Sequence, residues 1–142
     1  MNKTFDIEHV DQLGEVANQI ATLSEDNSVI VFNGEMGAGK TTLINQVCKL
    51  LKVISPISSP TYGSVNTYER ESGDDVFHFD FYRIEDQVEA IDIGCDEYFY
   101  AGNTCFIEWP EKIPELIPDR FLKISINLVK ENEREISITE HE

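Results

Sequence analysis

At 142 residues and 41% apolar side chains, the chain can bury a proper core without disulfides or metals to staple it, and it is too apolar to be disordered despite its charge. A net charge of −16, from 27 acidic against 11 basic residues, argues against this chain alone gripping a nucleic-acid backbone, which takes clustered lysine and arginine. No apolar run approaches the ~20 residues that span a bilayer and no signal-peptide core opens the chain, so a cytoplasmic protein without membrane association is expected.

Residues 3–9 alternate weakly, as an edge strand does. Asp11 then suits the N-cap of a helix carrying Leu13, Val16, Ala17, Ile20 and Ala21 on one face. After the polar loop Ser24 to Asn27, the run Ser28-Val29-Ile30-Val31-Phe32 is continuously apolar and β-branched, the pattern of a strand buried on both faces. It leads into Gly34-Glu35-Met36-Gly37-Ala38-Gly39-Lys40-Thr41-Thr42, which matches the phosphate-loop pattern G-x-x-x-x-G-K-[ST] in full. A polyphosphate needs several N–H donors turned inward at short range, and glycines let the backbone adopt the conformations this takes. Lys40 supplies a point charge for the outer phosphates, and the Thr41 hydroxyl can ligate Mg²⁺. Leu43, Ile44, Val47, Cys48, Leu50 and Leu51 follow at helical spacing, so the helix offers its positive end and unpaired N–H groups to the same anion.

Ile54 to Gly63 contains two prolines and three serines and stops both helix and strand. A hydroxyl-rich loop at this place is where a switch segment would meet the γ-phosphate and Mg²⁺, and Thr61 is the favoured hydroxyl. Ser64 to Tyr68 and Val76 to Tyr82 read as strands of an antiparallel hairpin. In the second, Phe77, Phe79 and Phe81 point one way and His78, Asp80 and Tyr82 the other. Asp80 inside so aromatic a strand requires either a partner such as Arg83 or a role near the metal or the attacking water. From Gln87 to Tyr100 the chain fits short helical pieces broken near Gly94, with an aromatic patch.

Thr104-Cys105-Phe106-Ile107-Glu108-Trp109 is an apolar strand ending in a carboxylate. That is how the second acidic element of phosphate-loop enzymes looks, with the acid opposite the loop's hydroxyl, able to hold Mg²⁺ or its waters. Leu122 to Leu128 and Ile136 with Ile138 alternate around a turn at Lys130 to Glu133, giving a C-terminal hairpin. Cys48, Cys95 and Cys105 lack metal-ligand or disulfide spacing and read as reduced, buried thiols; His9, His78 and His141 are scattered, against a histidine metal site. The expected architecture is a single α/β domain over residues 1–142, a phosphate-loop NTPase whose mixed parallel and antiparallel sheet is flanked by helices.

Together, Gly34 to Thr42, Ser58-Ser59-Pro60-Thr61-Tyr62, His78-Phe79-Asp80-Phe81-Tyr82-Arg83 and Ile107-Glu108-Trp109-Pro110-Glu111-Lys112 resemble the TsaE (YjeE) family in order and chain size. The resemblance implies a small ATPase acting in N6-threonylcarbamoyladenosine formation on tRNA beside TsaB and TsaD, with tRNA reached through the complex. It implies ATP binding by Glu35, Met36, Gly37, Ala38, Gly39, Lys40, Thr41 and Thr42, and Mg²⁺ held by Thr41 and Glu108. Asp80 would orient water or metal, making Lys40, Asp80 and Glu108 the catalytic set, with Thr61 in the switch and an exposed Trp109 near the site or facing a partner. Adenine contacts fall to the residues before the first helix or the Glu133-Arg134 turn. The alternatives are a small-molecule or nucleotide kinase, for which four arginines make a poor lid, and a GTPase-like switch, for which no Asn-Lys-x-Asp stretch reads guanine.

Overall fold

A computed structural model of the chain describes residues 2–35, 37–57, 65–131 and 133–142. The predicted residues Met36 and Thr61, with the rest of 58–64, lie outside the described part. The elements run β1 (Asn2–Ile7), α1 (Leu13–Leu23), β2 (Val29–Gly34), α2 (Lys40–Leu50), β3 (Val65–Glu69), β4 (Asp75–Asp80), α3 (Gln87–Ile93), α4 (Cys95–Tyr100), β5 (Thr104–Glu108), β6 (Phe121–Lys130) and β7 (Glu133–His141). The seven strands form one sheet in the order β1-β7-β6-β2-β5-β4-β3. Its centre is parallel, with β2 between β5 and β6 and β4 beside β5. Both flanks are antiparallel, β3 on β4 at one edge and β1 on β7 on β6 at the other. The expected mixed α/β sheet is therefore present.

Period-two alternation divides the side chains between two cores. Ile30, Phe32, Phe106, Leu122, Ile124, Ile136 and Ile138 face α1 and α2, which contribute Val16, Ile20, Leu43, Ile44 and Val47. Val29, Val31, Phe79, Cys105 and Ile107 face the other way, onto α3 and α4 through Ala90, Cys95 and Phe99. A strand with a core on each face has no polar side to show, which is why β2 reads as an unbroken apolar run. Each fully buried side chain of this size contributes roughly 1.5–3 kcal/mol. All three cysteines are buried, and burial pushes each thiol up to about 12, so none is a ready thiolate.

One helix start differs from its expectation. Asp11 sits inside a 3-10 turn, Val10–Gln12, that precedes α1, and is not the cap. Gln12 closes that turn: its side-chain carbonyl accepts the Glu8 and His9 N–H groups at 2.6 and 3.0 Å. The break at Gly94 is as expected, with φ +89 separating α3 from α4. The aromatic stretch divides: Phe99 is buried against Phe79, while Tyr100 is 72% exposed. No helix among the described residues is long and apolar enough to cross a membrane.

Candidate functional site

The parallel strands β2, β4 and β5 all end at the same edge of the sheet, and that edge gathers the chemistry. The loop leaving β2 turns through Gly37 at φ +82 and Gly39 at φ +103, conformations closed in practice to residues with a Cβ, and Gly39 caps α2. The close approach continues at Gly34, where a Cβ would meet the Ile126 carbonyl oxygen at 2.9 Å. The Ala38 N–H donates back to the Glu35 carbonyl, tightening the loop into a turn ahead of the helix.

Lys40, the first residue of α2, is buried to 6% exposure. Its ammonium donates to the Gly34 carbonyl at 2.7 Å and stands 3.8 Å from the centre of the Trp109 ring. Burial lowers the Lys40 pKa from its ordinary value, opposed by the negative charges of Glu108, Asp80 and Glu111. Thr41 is half-buried and Thr42 exposed in the same first turn.

Glu108 ends β5 on the α2 face, buried to 4% exposure, and Asp80 lies directly opposite it at the end of β4. The Asp80 carboxylate accepts the Tyr82 N–H at 2.9 Å. Its pKa is raised, first by burial and also by Glu108, with the Tyr82 N–H, His78 and Lys40 acting against the rise. His78 shares the face of Asp80, as alternation predicts, and is fully buried: Nε2 lies 2.8 Å from Glu108 Oε2 and Nδ1 lies 2.9 Å from the Tyr68 hydroxyl. Sequence reasoning put His78 beside Asp80 but gave it no task. The missing information is the sheet order, which alone sets β3, β4 and β5 side by side.

Trp109 corrects an expectation. It is half-buried where an exposed side chain was expected, because its ring packs on the Lys40 ammonium and lies 4.9 Å from the Tyr82 ring. Its backbone is left-handed (φ +60, ψ +51) immediately before Pro110, a conformation that costs a bulky residue about 1–2 kcal/mol and that functional sites tend to hold.

On the other side of the loop, Arg134 of β7 donates its Nε–H to the Ala38 carbonyl at 2.7 Å. A cavity of about 150 Å³ opens there, lined by His9, Val10, Ala38, Gly39, Thr42 and Arg134 among others. It brings together the two segments expected to touch a base, the chain before α1 and the β6–β7 turn. The volume suits part of a ligand, since sites enclosing a whole small molecule run to roughly 300–1,000 Å³.

The structure thus gathers Gly37, Ala38, Gly39, Lys40, Asp80, Glu108 and Trp109 at one strand-end edge. A family model described as "Threonylcarbamoyl adenosine biosynthesis protein TsaE" matches residues 7–136. The tRNA threonylcarbamoyladenosine biosynthesis protein TsaE of Bacillus subtilis (strain 168) is 34% identical over 124 residues, spanning 87% of this chain and 77% of that protein. The protein of the same name from Treponema pallidum is 30% identical over 119 residues, spanning 84% and 87%. A crystal structure of Bacillus subtilis YdiB superposes with a TM-score of 0.80 at 26% identity, covering 100% of this chain and 87% of that one.

Proposed function

The chain belongs to the TsaE family, and from that premise we propose that it is the Mg²⁺-dependent ATP-binding and hydrolysing component of tRNA N6-threonylcarbamoyladenosine formation, working with TsaB and TsaD. The observation that carries the ATPase reading is the gathering of Lys40, Asp80 and Glu108 at the strand-end edge beside a glycine-shaped loop.

In this reading the N–H groups from Gly37 to Thr42 wrap the phosphates, and Lys40 leaves the Gly34 carbonyl and the Trp109 ring to meet the outer ones. The donors near the loop are hydroxyl and carboxylate oxygens, which suit a hard cation. Among the described residues no three His, Cys, Asp or Glu side chains cluster as a self-contained metal cage. Mg²⁺ is usually held by one or two protein oxygens together with phosphates and water. Thr41 and Glu108 would hold the ion, which when bound neutralises phosphate charge. Asp80 is then the group that orients the attacking water, its carboxylate fixed by the Tyr82 N–H. The base enters the cavity beside Arg134, His9 and Val10. A chain of net charge −16 reaches tRNA through its partners.

The test is ATP hydrolysis with and without the TsaB–TsaD pair, for the wild type and Lys40→Ala. Stimulation by the pair that the substitution abolishes supports both the ATPase and the pathway. Turnover indifferent to the pair removes the partners from the reading and leaves the nucleotide site.

A further inference from the structure

His78 is polar, fully buried and central, flanked along β4 by the buried Val76 and Phe79. Burying an imidazole among such neighbours costs free energy unless its nitrogens find partners, and both do. An ionised Glu108 can only accept, so Nε2–H donates to Oε2 at 2.8 Å; in a neutral imidazole Nδ1 is then the acceptor, and the Tyr68 hydroxyl donates to it at 2.9 Å. Three side chains on three neighbouring strands, each at most 4% exposed, thus form one directed chain of hydrogen bonds ending on a single carboxylate oxygen. Packing alone would be served as well by an apolar residue at position 78. What the network adds is a fixed plane for the Glu108 carboxylate.

We propose that His78, itself held by Tyr68, is the positioning residue of Glu108: it ties down Oε2 so that Oε1 is presented to a divalent cation bound with the nucleotide. This rests on the reading of Glu108 as a cation-side acid. Outer partners of a ligating side chain typically change metal affinity by roughly 10–100-fold when removed. The network also makes the presentation of Glu108 depend on the β3–β4 hairpin being docked, since Tyr68 stands on β3.

The test uses the full chain and a non-hydrolysable ATP analogue, titrated calorimetrically with Mg²⁺ and with EDTA. The quantity read is the factor by which Mg²⁺ tightens binding. His78→Leu is expected to cut that factor about tenfold while leaving affinity in EDTA unchanged. His78→Gln, which keeps an N–H donor at a similar reach, is expected to recover most of it. Tyr68→Phe removes one oxygen atom and is expected to cut the factor by about threefold; it carries the test if His78→Leu does not fold. A factor unchanged in Tyr68→Phe and in folded His78→Leu overturns the proposal while the cation-site reading stands. A wild type whose affinity does not respond to Mg²⁺ overturns that reading, and this proposal with it.

Discussion

Arg134 offers a sharp test of how the loop is held. Its Nε–H meets the Ala38 carbonyl at 2.7 Å, and the same atom lies 3.7 Å from where a Cβ on Gly39 would stand, so the guanidinium lies against the loop from the β7 side. Replacing it with Met keeps most of the stem and deletes the donor. A hydrogen bond from a charged group contributes roughly 1.5–3 kcal/mol, and the half-buried setting of Arg134 favours the low end, about 1.5 kcal/mol. For a chain of this length that is a fall in Tm of roughly 4–7 °C. Ordering the loop then falls to the nucleotide, so ATP affinity should drop by up to about tenfold, the equivalent of about 1.4 kcal/mol. Thermal unfolding without nucleotide and calorimetric titration with ATP measure the two effects. Arg134→Lys, which keeps the charge but loses the planar fork, should fall between. A variant with wild-type Tm and wild-type affinity would refute the idea that β7 braces the loop.

Three further outcomes follow from the site. Lys40→Met should lose roughly 100-fold or more in ATP affinity, from two charge-assisted contacts, yet unfold no earlier than the wild type without nucleotide. The reason is that burial already disfavours the Lys40 ammonium, as its lowered pKa records; an early unfolding transition would contradict this. Asp80→Asn should abolish hydrolysis with ATP binding retained, and should stabilise the nucleotide-free protein in a pH-dependent way. Burial raises the Asp80 pKa above its ordinary 3.8, so the folded state holds this proton more tightly than the unfolded one, and the favourable contribution is lost as pH rises through the folded value. The Tm advantage of the variant should therefore be largest near neutrality and fade below pH 3.8. Finally, Trp109 is the one tryptophan of the chain, with the Lys40 ammonium 3.8 Å from its ring, so ATP should change the intrinsic fluorescence as the lysine departs. Lys40→Met should remove that change.

The local parts of the site were readable because their signals are local. The loop's glycines, Lys40 and the carboxylate closing β5 are each fixed by their own few neighbours, and alternation along β4 was enough to put His78 and Asp80 on one face. What the chain did not reveal are relations across the sheet. Nothing near Tyr68 marks it as a partner of His78, since the contact needs β3 docked on β4 and β4 on β5. Arg134 reaches the loop only because β7 lies two strands from β2. Trp109 was misjudged for a similar reason: a residue after a strand end is usually exposed, and only the left-handed turn before Pro110 folds its ring onto Lys40. Asp11 falls inside the 3-10 turn and does not cap α1, and Gln12, whose longer side chain reaches back four residues, closes that turn.

If the chain hydrolyses ATP as proposed, the charge balance at the site should make hydrolysis by the isolated chain slow. One buried ammonium, Lys40, faces Glu108, Asp80 and Glu111, so the site is short of positive charge before any phosphate arrives. Phosphoryl transfer chiefly requires neutralisation of the charge on the γ-phosphate, and an added arginine accelerates it by roughly 10³–10⁵. The four arginines of this chain do not supply one readily. Arg70 donates to the Leu51 carbonyl near the opposite edge of the sheet, Arg134 is engaged with Ala38, and Arg83 and Arg120 are exposed to solvent. In the ATPase proposed above, Mg²⁺ would make up part of the deficit, and a cation from a partner protein would supply the rest. The same surplus of acid that argues against a direct grip on nucleic acid, −16 over 142 residues, would suit docking by a basic partner.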